Sequence, residues 1–202
     1  MCAARASFAG SLRNNAGPRY RLLVAAWCVL VINAIGLHAQ QAPPTEYGVK
    51  AAYLFNFTRF TTWAAAAAAV NSVTFDVCVL GRDPFGAALD MTVAGERIEG
   101  KRVVVRRIAQ PSDTVGCRVL FVSTSEETAL TNVLQSLNGS PILTVSDLPR
   151  FVERGGMIQF VAEGKRIRFA VNLPAATRVG LTLSAELLRV AVAVKTDPKP
   201  GA

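Results

Sequence analysis

The side chains best suited to catalysis or metal binding are scarce in this sequence. Its 202 residues contain one histidine, His38, and four cysteines. The acidic residues are scattered, with no pair that suggests general acid and base catalysis. The sequence has no Walker A motif for phosphate binding and no G-x-G-x-x-G motif for a dinucleotide. The chemistry open to the protein depends on which of these few residues are present in the mature chain.

The N-terminal region has the pattern of a secretory signal peptide. Residues 1–21 carry four arginines and no acidic residue, and a 16-residue apolar run, 22–37, is followed by a break at Ala39. The run is shorter than the roughly 20 residues that a membrane-spanning helix needs, so we expect cleavage after Ala39. An uncleaved anchor is the alternative. Either way, the sequence predicts that the rest of the chain lies outside the cytoplasm, in the periplasm.

Cleavage removes His38, Cys2 and Cys28 together with the four arginines. Without histidine, a Ser-His or Cys-His nucleophile and a His-ligated zinc ion are excluded. The formal charge falls from +8 to +4, which weakens a nucleic-acid interpretation of the basic composition. We therefore predict no catalytic residue, no metal site and no cofactor, and a binding or regulatory protein in place of an enzyme. A secreted enzyme built on carboxylates or a Ser-Lys pair is the alternative.

Two cysteines, Cys78 and Cys117, remain in the mature chain. An even number of cysteines in an oxidising compartment predicts one disulfide bond. A structural cross-link is the simpler interpretation, and a redox-responsive pair is the alternative. The spacing of the two residues is unlike the C-x-x-C motif of thioredoxin-like enzymes.

The elements that must position these residues alternate between helices and strands. An aromatic-rich helix is predicted over 46–63, with Tyr53, Phe57 and Phe60 on its buried face. Strands and hairpins are predicted at 73–80, 97–108, 117–122, 141–145 and 157–172, and a C-terminal helix at 185–194. This order predicts an α/β fold: a single compact domain with a mixed β-sheet flanked by helices. The predicted divisions are a signal peptide at 1–39, a linker at 40–45, the domain at 46–195 and a flexible tail at 196–202.

The stretch RFVERGGMIQF, residues 150–160, poses a choice between a phosphate-binding loop and a structural turn. Gly155 and Gly156 lie between a predicted short helix that contains Phe151 and a predicted strand. A phosphate loop has the opposite order, with the strand before the glycines and the helix after them. The stretch therefore predicts a helix stop, followed by a hairpin that turns at Glu163 and Gly164.

Several blocks, in order, resemble the YfiR family: EYGVKAAYLFNFTRFTTW, FDVCVLGRDPFGAAL, GKRVVVRRI, CRVLFVSTSE, FVERGGMIQFV and RIRFAVNL. The resemblance covers residues 46–194. It implies a periplasmic α/β domain that forms a homodimer and represses an inner-membrane diguanylate cyclase of the YfiN type by binding its periplasmic sensor region. It also implies control of cyclic-di-GMP signalling and biofilm formation, with an outer-membrane OmpA-like lipoprotein of the YfiB type as a second partner.

The same resemblance assigns roles to individual residues. Cys78 and Cys117 match the disulfide that the family widely shares. Arg168 matches a strand position that lines a partner or ligand groove in family members. Glu153, Arg154 and Met157 fall in the family's hairpin region. These four residues are the predicted partner contacts. A periplasmic small-molecule sensor that uses the same groove is the alternative. Ala170 stands where some members have a polar side chain, which argues against that alternative.

We predict that the mature protein begins near Gln40. The basic start, short apolar run and small residue at the break are the features that signal peptidase recognises. Mass spectrometry of the protein from the periplasmic fraction should show the loss of about 39 residues. Intact chain recovered only from membranes would support the uncleaved anchor instead.

Overall fold

A computed structural model describes residues 45–64 and 72–197. The predicted signal peptide and almost all of the linker lie outside these residues. The helices are α1 Glu46–Arg59, α2 Ala87–Val93, α3 Leu130–Ser136, α4 Leu173–Arg178 and α5 Ala185–Val190. The strands are β1 Thr61–Trp63, β2 Thr74–Leu80, β3 Arg97–Ile98, β4 Lys101–Ile108, β5 Cys117–Val122, β6 Leu143–Ser146, β7 Ile158–Glu163, β8 Arg166–Asn172, β9 Leu181–Leu183 and β10 Ala193–Lys195.

Within the described residues, eight strands form one mixed sheet in the order β10-β8-β7-β6-β5-β2-β4-β3. Strands β4, β2, β5, β6 and β7 run parallel to one another, whereas β3 pairs antiparallel with β4 and β8 pairs antiparallel with β7. β10 runs parallel to β8 at one edge, and β1 pairs with β9 in a separate two-stranded sheet. The prediction of an α/β domain with a mixed sheet flanked by helices is confirmed. No helix in the described part of the chain is long and apolar enough to cross a membrane.

Helices cover both faces of the sheet, so its central strands are buried on both sides. Alternate residues of β2 point to opposite faces: Val77 and Val79 pack in the core beneath α1, and Cys78 and Leu80 pack in the core beneath α3. This explains why β2 is a nearly continuous apolar run in the sequence, without the alternation of a half-exposed strand.

α1 is shorter than predicted, and its buried face is different. Thr45 caps its first turn by accepting a hydrogen bond from the Gly48 N–H at 3.1 Å. The helix ends at Arg59, because the chain then leaves to pair β1 with β9. Phe57 is buried as predicted, but Phe60 is 39% exposed, and Leu54 and Phe55 take the core positions.

The two glycines of the 150–160 stretch act as architecture. The predicted short helix before them is wrong, since residues 149–155 form a series of turns. Gly155 has a positive φ of 108°. At Gly156 a Cβ would overlap the ring of the fully buried Phe151, whose carbonyl accepts a hydrogen bond from the Gly156 N–H at 2.9 Å. The predicted helix stop is therefore wrong, because there is no helix for the glycines to end, whereas the predicted hairpin that turns at Glu163 and Gly164 is present.

The C-terminal helix is also shorter than predicted. α5 ends at Val190, and the following residues extend to form β10 on the edge of β8. The Val192 N–H donates to the Phe169 carbonyl at 2.9 Å. Strand pairing with a distant part of the chain thus overrides the local helical preference of the sequence.

The disulfide prediction is confirmed. Cys78 on β2 and Cys117 on β5 are bonded, with their Cα atoms 5.9 Å apart. The β2–β5 register shifts between Asp76 and Val77, and Cys117 lies opposite Asp76 at the start of β5. The bond therefore ties the first residues of β5 to the middle of the central strand.

Replacing Cys117 with serine should lower the free energy of unfolding by roughly 2–5 kcal/mol, the usual range for small secreted domains that lose a disulfide. The bond constrains the unfolded chain across a 39-residue separation. Urea unfolding of the variant and of the wild type, with and without reductant, measures the change. Equal stability of oxidised wild type and variant would contradict a structural role for the bond.

Candidate functional site

A groove of about 810 Å³ lies at one edge of the main sheet. Its walls are the N-terminal half of α1, the turn and first residues of β8, and the end of α5. Tyr53 from α1 and Phe169 from β8 form part of its floor, with their ring centroids 5.8 Å apart. The groove exists because β8 runs past the end of α5 while α1 crosses above it.

The groove is strongly basic. Lys165, Arg166, Arg168 and Arg189 line it, and Glu46 is the single acidic residue among its lining residues. None of the ion pairs found within residues 45–64 and 72–197 involves any of these four cations. The groove therefore offers positive charge to an incoming group, while Glu46 is occupied by an ion pair inside the protein.

An apolar pocket of about 220 Å³ continues the groove. Tyr53, Phe57 and Phe169 belong to both the aromatic cluster of the core and the pocket lining. Phe60 and Val190 also line it, and Val190 is 55% exposed. Cations beside exposed apolar side chains are typical of a surface that binds an amphipathic partner or ligand.

Local structure fixes the residues of the groove. Ser184 caps α5 by accepting a hydrogen bond from the Leu187 N–H at 3.2 Å, and this sets where the helix begins. The Arg168 guanidinium donates to the Val190 carbonyl at 3.4 Å, so its side chain lies across the end of α5. These contacts hold the basic groove in a defined shape.

A buried ion pair fixes α1, the main wall of the groove. Lys50 is only 4% exposed, and its Nζ binds Asp147 at 2.8 Å and Glu46 at 2.6 Å. The Tyr47 hydroxyl donates to the same Asp147 oxygen at 2.8 Å, and the Lys50 ammonium lies 4.4 Å from the centre of the Tyr47 ring. Asp147 directly follows β6, so this cluster joins α1 to the middle of the sheet.

The charges of this cluster stabilise one another. Burial opposes the charge on Lys50, but hydrogen bonds to Asp147 and Glu46 outweigh it, so the pKa of Lys50 is raised above 10.5. Burial and the hydrogen bond to Asp147 raise the pKa of Tyr47 from 10.0 to about 12. Sequence reasoning missed the contact between Lys50 and Asp147, which are 97 residues apart; the one local signal is that Lys50 follows Glu46 by one helical turn.

The usual ligand position of such a sheet is closed. The strand order reverses between β2 and β5, and ligands of open α/β sheets bind at the carboxyl ends of the strands at such a point. Here the Ser125 and Glu126 side chains lie directly over Gly81. The Ser125 hydroxyl accepts from the Arg82 N–H at 3.0 Å and donates to Glu126 at 2.8 Å. The groove beside β8 is therefore the better candidate.

The structure does not bring the four predicted contact residues together. Arg168 lines the groove. Glu153 forms an exposed ion pair with Arg150 at 2.7 Å, and Arg154 donates to the Glu127 carbonyl at 3.2 Å. Glu153 and Arg154 belong to the loop that packs Phe151 against the α3 face, whereas the groove opens towards α1.

Met157 differs from the other predicted contacts. Its side chain is 6% exposed and belongs to the core beneath α1. Its main-chain N–H donates to the buried Thr144 hydroxyl at 3.1 Å. The side chain of Met157 therefore supports the sheet and does not reach a surface.

The fold and the groove define a small α/β domain with a basic, partly apolar surface groove. The chain belongs to the YfiR/HmsC-like family, which matches residues 47–192. This is a family of periplasmic regulators of cyclic-di-GMP signalling.

Two solved structures are similar to this chain. A conserved domain protein from Vibrio cholerae has 14% sequence identity and a TM-score of 0.44, and the match covers 59% of this chain and 54% of that one. The ABC domain from Streptococcus pneumonia, solved in complex with L-Trp, has 12% identity and a TM-score of 0.49, with 71% and 61% covered. The chain thus spans less than two thirds of the length of either structure.

Replacing Asp147 with asparagine should lower the free energy of unfolding by about 3 kcal/mol, the low end for breaking a buried ion pair, since it leaves the Lys50 charge without its buried partner. The matched control is Glu46→Gln, which removes the exposed partner and should change stability by about 0.5 kcal/mol or less. Urea unfolding at neutral pH measures both.

The pH dependence tests whether the Lys50 charge causes this difference. A lysine with a raised pKa contributes stability fully below 10.5 and loses that contribution as the pH rises through its folded value. The difference in free energy of unfolding between the wild type and Asp147→Asn should therefore become smaller above pH 10.5. A gap that stays constant into that range would assign the effect to packing.

Proposed function

We propose that this protein represses a membrane-bound diguanylate cyclase by binding the periplasmic sensor region of that enzyme, and thereby limits cyclic-di-GMP and biofilm formation. The observation that supports this proposal most is the basic groove around Arg168, with its apolar extension, in a member of the YfiR/HmsC-like family. Cations beside exposed apolar side chains suit a protein surface that carries acidic and apolar groups.

Repression by binding requires a preference between two states of the cyclase. A bound protein shifts a conformational equilibrium only by the difference between its affinities for the two states. The groove must therefore contact a part of the sensor region that is arranged differently in the inactive cyclase. A difference of about 100-fold in affinity, within the usual range of allosteric coupling, suffices for strong repression.

The proposed contact residues divide into two groups. Arg168 acts in the groove, and Glu153 and Arg154 act on the exposed loop over the α3 face. Met157 contributes indirectly: its N–H bonds to Thr144 and fixes the start of β7. The proposal includes three partners for these two surfaces: the cyclase, an OmpA-like lipoprotein of the outer membrane and a second copy of this chain.

The proposal also covers the divisions of the chain. A cleaved signal peptide at 1–39 delivers the protein to the periplasm, and residues 40–45 link it to the domain at 46–195. Residues 196–202 are proposed as the C-terminal tail, and 198–202 lie outside the residues that the structure describes. In this arrangement the domain itself carries all of the contact residues.

A second candidate function is a periplasmic small-molecule sensor. The volume of about 810 Å³ and the combination of Arg168, Arg189 and Tyr53 fit an anionic or aromatic ligand. Such a ligand would occupy the same groove as the protein partner, so its binding would compete with repression.

Deletion of the gene should raise cellular cyclic-di-GMP, and only in strains that contain the partner cyclase. The physical reason is that loss of the bound protein returns the cyclase to its active state. Cyclic-di-GMP measured by mass spectrometry in single and double deletion strains tests this. Unchanged cyclic-di-GMP under every condition in which the protein is made would favour the sensor function instead.

Point variants then test the groove. Arg168→Glu should raise cyclic-di-GMP as deletion does, at normal periplasmic abundance, because reversing a charge in a desolvated contact costs about 2–5 kcal/mol of binding. Arg102→Glu, an exposed arginine on β4 near the opposite edge of the sheet, is the matched control and should repress normally. Phe57→Ala should fail through low abundance, since removing a buried phenylalanine costs about 3–5 kcal/mol of stability.

A further inference from the structure

One edge of the main sheet is only half covered. β10 pairs with β8 at Ala170, Val171 and Asn172. Along residues 166–168, no strand in the described part of the chain pairs with this side of β8. The open half of the edge faces the basic groove, because the same residues line that groove.

The main-chain groups on the open half can be assigned from their neighbours. The Asn172 N–H donates to the Met157 carbonyl on the β7 side, and the Phe169 carbonyl accepts from the Val192 N–H on the β10 side. Successive residues of a strand direct their main-chain groups alternately to its two neighbours. Ile167 therefore presents both its N–H and its carbonyl to the open side, and Phe169 presents its N–H.

The side chains along this edge also alternate. Ile167 and Phe169 face α1, where they pack against the core that contains Tyr53. Arg166 and Arg168 form the second row, and their side chains line the groove at the open edge, where the Arg168 guanidinium donates to the Val190 carbonyl. A strand added at this edge would place its alternate side chains beside these two rows, so one row would meet apolar groups and the other would meet arginines.

Charge decides between the possible occupants. A second copy of the chain, related by a two-fold axis through this edge, would bring Arg166 and Arg168 against their own copies. Lys165 and Arg189 would add to the repulsion, since they line the same groove. Like charges placed opposite one another on paired strands are destabilising, whereas opposite charges favour pairing. The edge therefore suits a strand that carries acidic side chains.

We propose that the open edge of β8 accepts an extended partner segment, with alternating apolar and acidic residues, as an added β-strand. Its apolar side chains lie against Phe169 and Tyr53, and its acidic side chains lie against Arg166 and Arg168. Main-chain hydrogen bonds to Ile167 and Phe169 supply affinity, and the two rows of side chains supply selectivity. Strand addition rests on the proposed function in one respect: the added segment belongs to the protein partner named there.

The test uses a synthetic seven-residue peptide of alternating glutamate and valine, blocked at both ends, with the full chain as purified from the periplasm. NMR titration should show saturable binding and slower hydrogen exchange at the Ile167 and Phe169 amides. A peptide with lysine in place of glutamate should bind at least about tenfold more weakly, because its charges repel the arginines. A glutamate peptide N-methylated on alternate residues keeps its charge but loses the main-chain donors of those residues, and it should be weakened by the same factor.

Two pairs of variants repeat the test from the side of the protein. Ile167→Pro removes an outward N–H without removing a hydrogen bond to β7, and it should weaken peptide binding about tenfold, whereas Ile167→Val keeps that donor and should bind normally. Arg168→Glu should abolish binding of the glutamate peptide, and Arg102→Glu should leave it unchanged. Equal binding of the methylated and unmethylated peptides to the wild-type protein would overturn strand addition, even where a variant does not fold.

The outcomes separate this inference from the proposed function. Peptide binding as an added strand, together with unchanged cyclic-di-GMP in the deletion strain, would keep the edge site and discard the cyclase as its partner. Raised cyclic-di-GMP in the deletion strain, with an Ile167→Pro variant that represses normally and binds the peptide as wild type does, would keep the repressor and discard strand addition.

Discussion

The buried contact between Lys50 and Asp147 is the interaction on which the rest of the structure depends. α1 is the first element of the domain, and it has no neighbour in sequence among the strands that it covers. The Lys50 ammonium group of α1 contacts Asp147 at the carboxyl end of β6 and is enclosed by Tyr47 and the core. A buried ion pair is a weak source of net stability, but a misplaced one is costly. The pair therefore selects one position of α1, and that position creates the groove, whose wall is the next turn of the same helix.

Closure of the central crevice explains why the candidate site lies at an edge. In an open parallel sheet the point of reversed strand order offers a natural crevice. Here Gly81 leaves room above β2, and the Ser125 and Glu126 side chains occupy that room and hydrogen-bond to each other. The fold has thus kept the topology of a ligand-binding sheet while using that space for internal contacts. The cations instead gather where β8 extends beyond the cover of α5 and β10.

Features set by local sequence could be predicted, and features set by distant contacts could not. The apolar run of β2, the hairpin turn at Glu163 and Gly164 and the disulfide all follow from neighbouring residues or from the compartment. Phe60 was misassigned because β1 pairs with β9, more than 100 residues away, and so ends α1 early. The residues after Val190 were misassigned as helix because residues 193–195 pair with β8 as a strand. Lys50 gave almost no signal, since a lysine in a helix is ordinarily a solvated side chain.

The half-covered edge of β8 combines two requirements that usually conflict. An open strand edge invites pairing with any exposed strand, and proteins commonly place charged side chains there to prevent it. Arg166 and Arg168 meet that requirement by repelling a second copy of the same edge. The same charges leave the edge open to a strand of opposite charge, because electrostatic repulsion discriminates between partners without blocking the main-chain groups of Ile167. The proposed strand addition depends on a short β10, because a longer strand would cover these groups, and the groove would keep its cations but lose the hydrogen-bonding edge beside them.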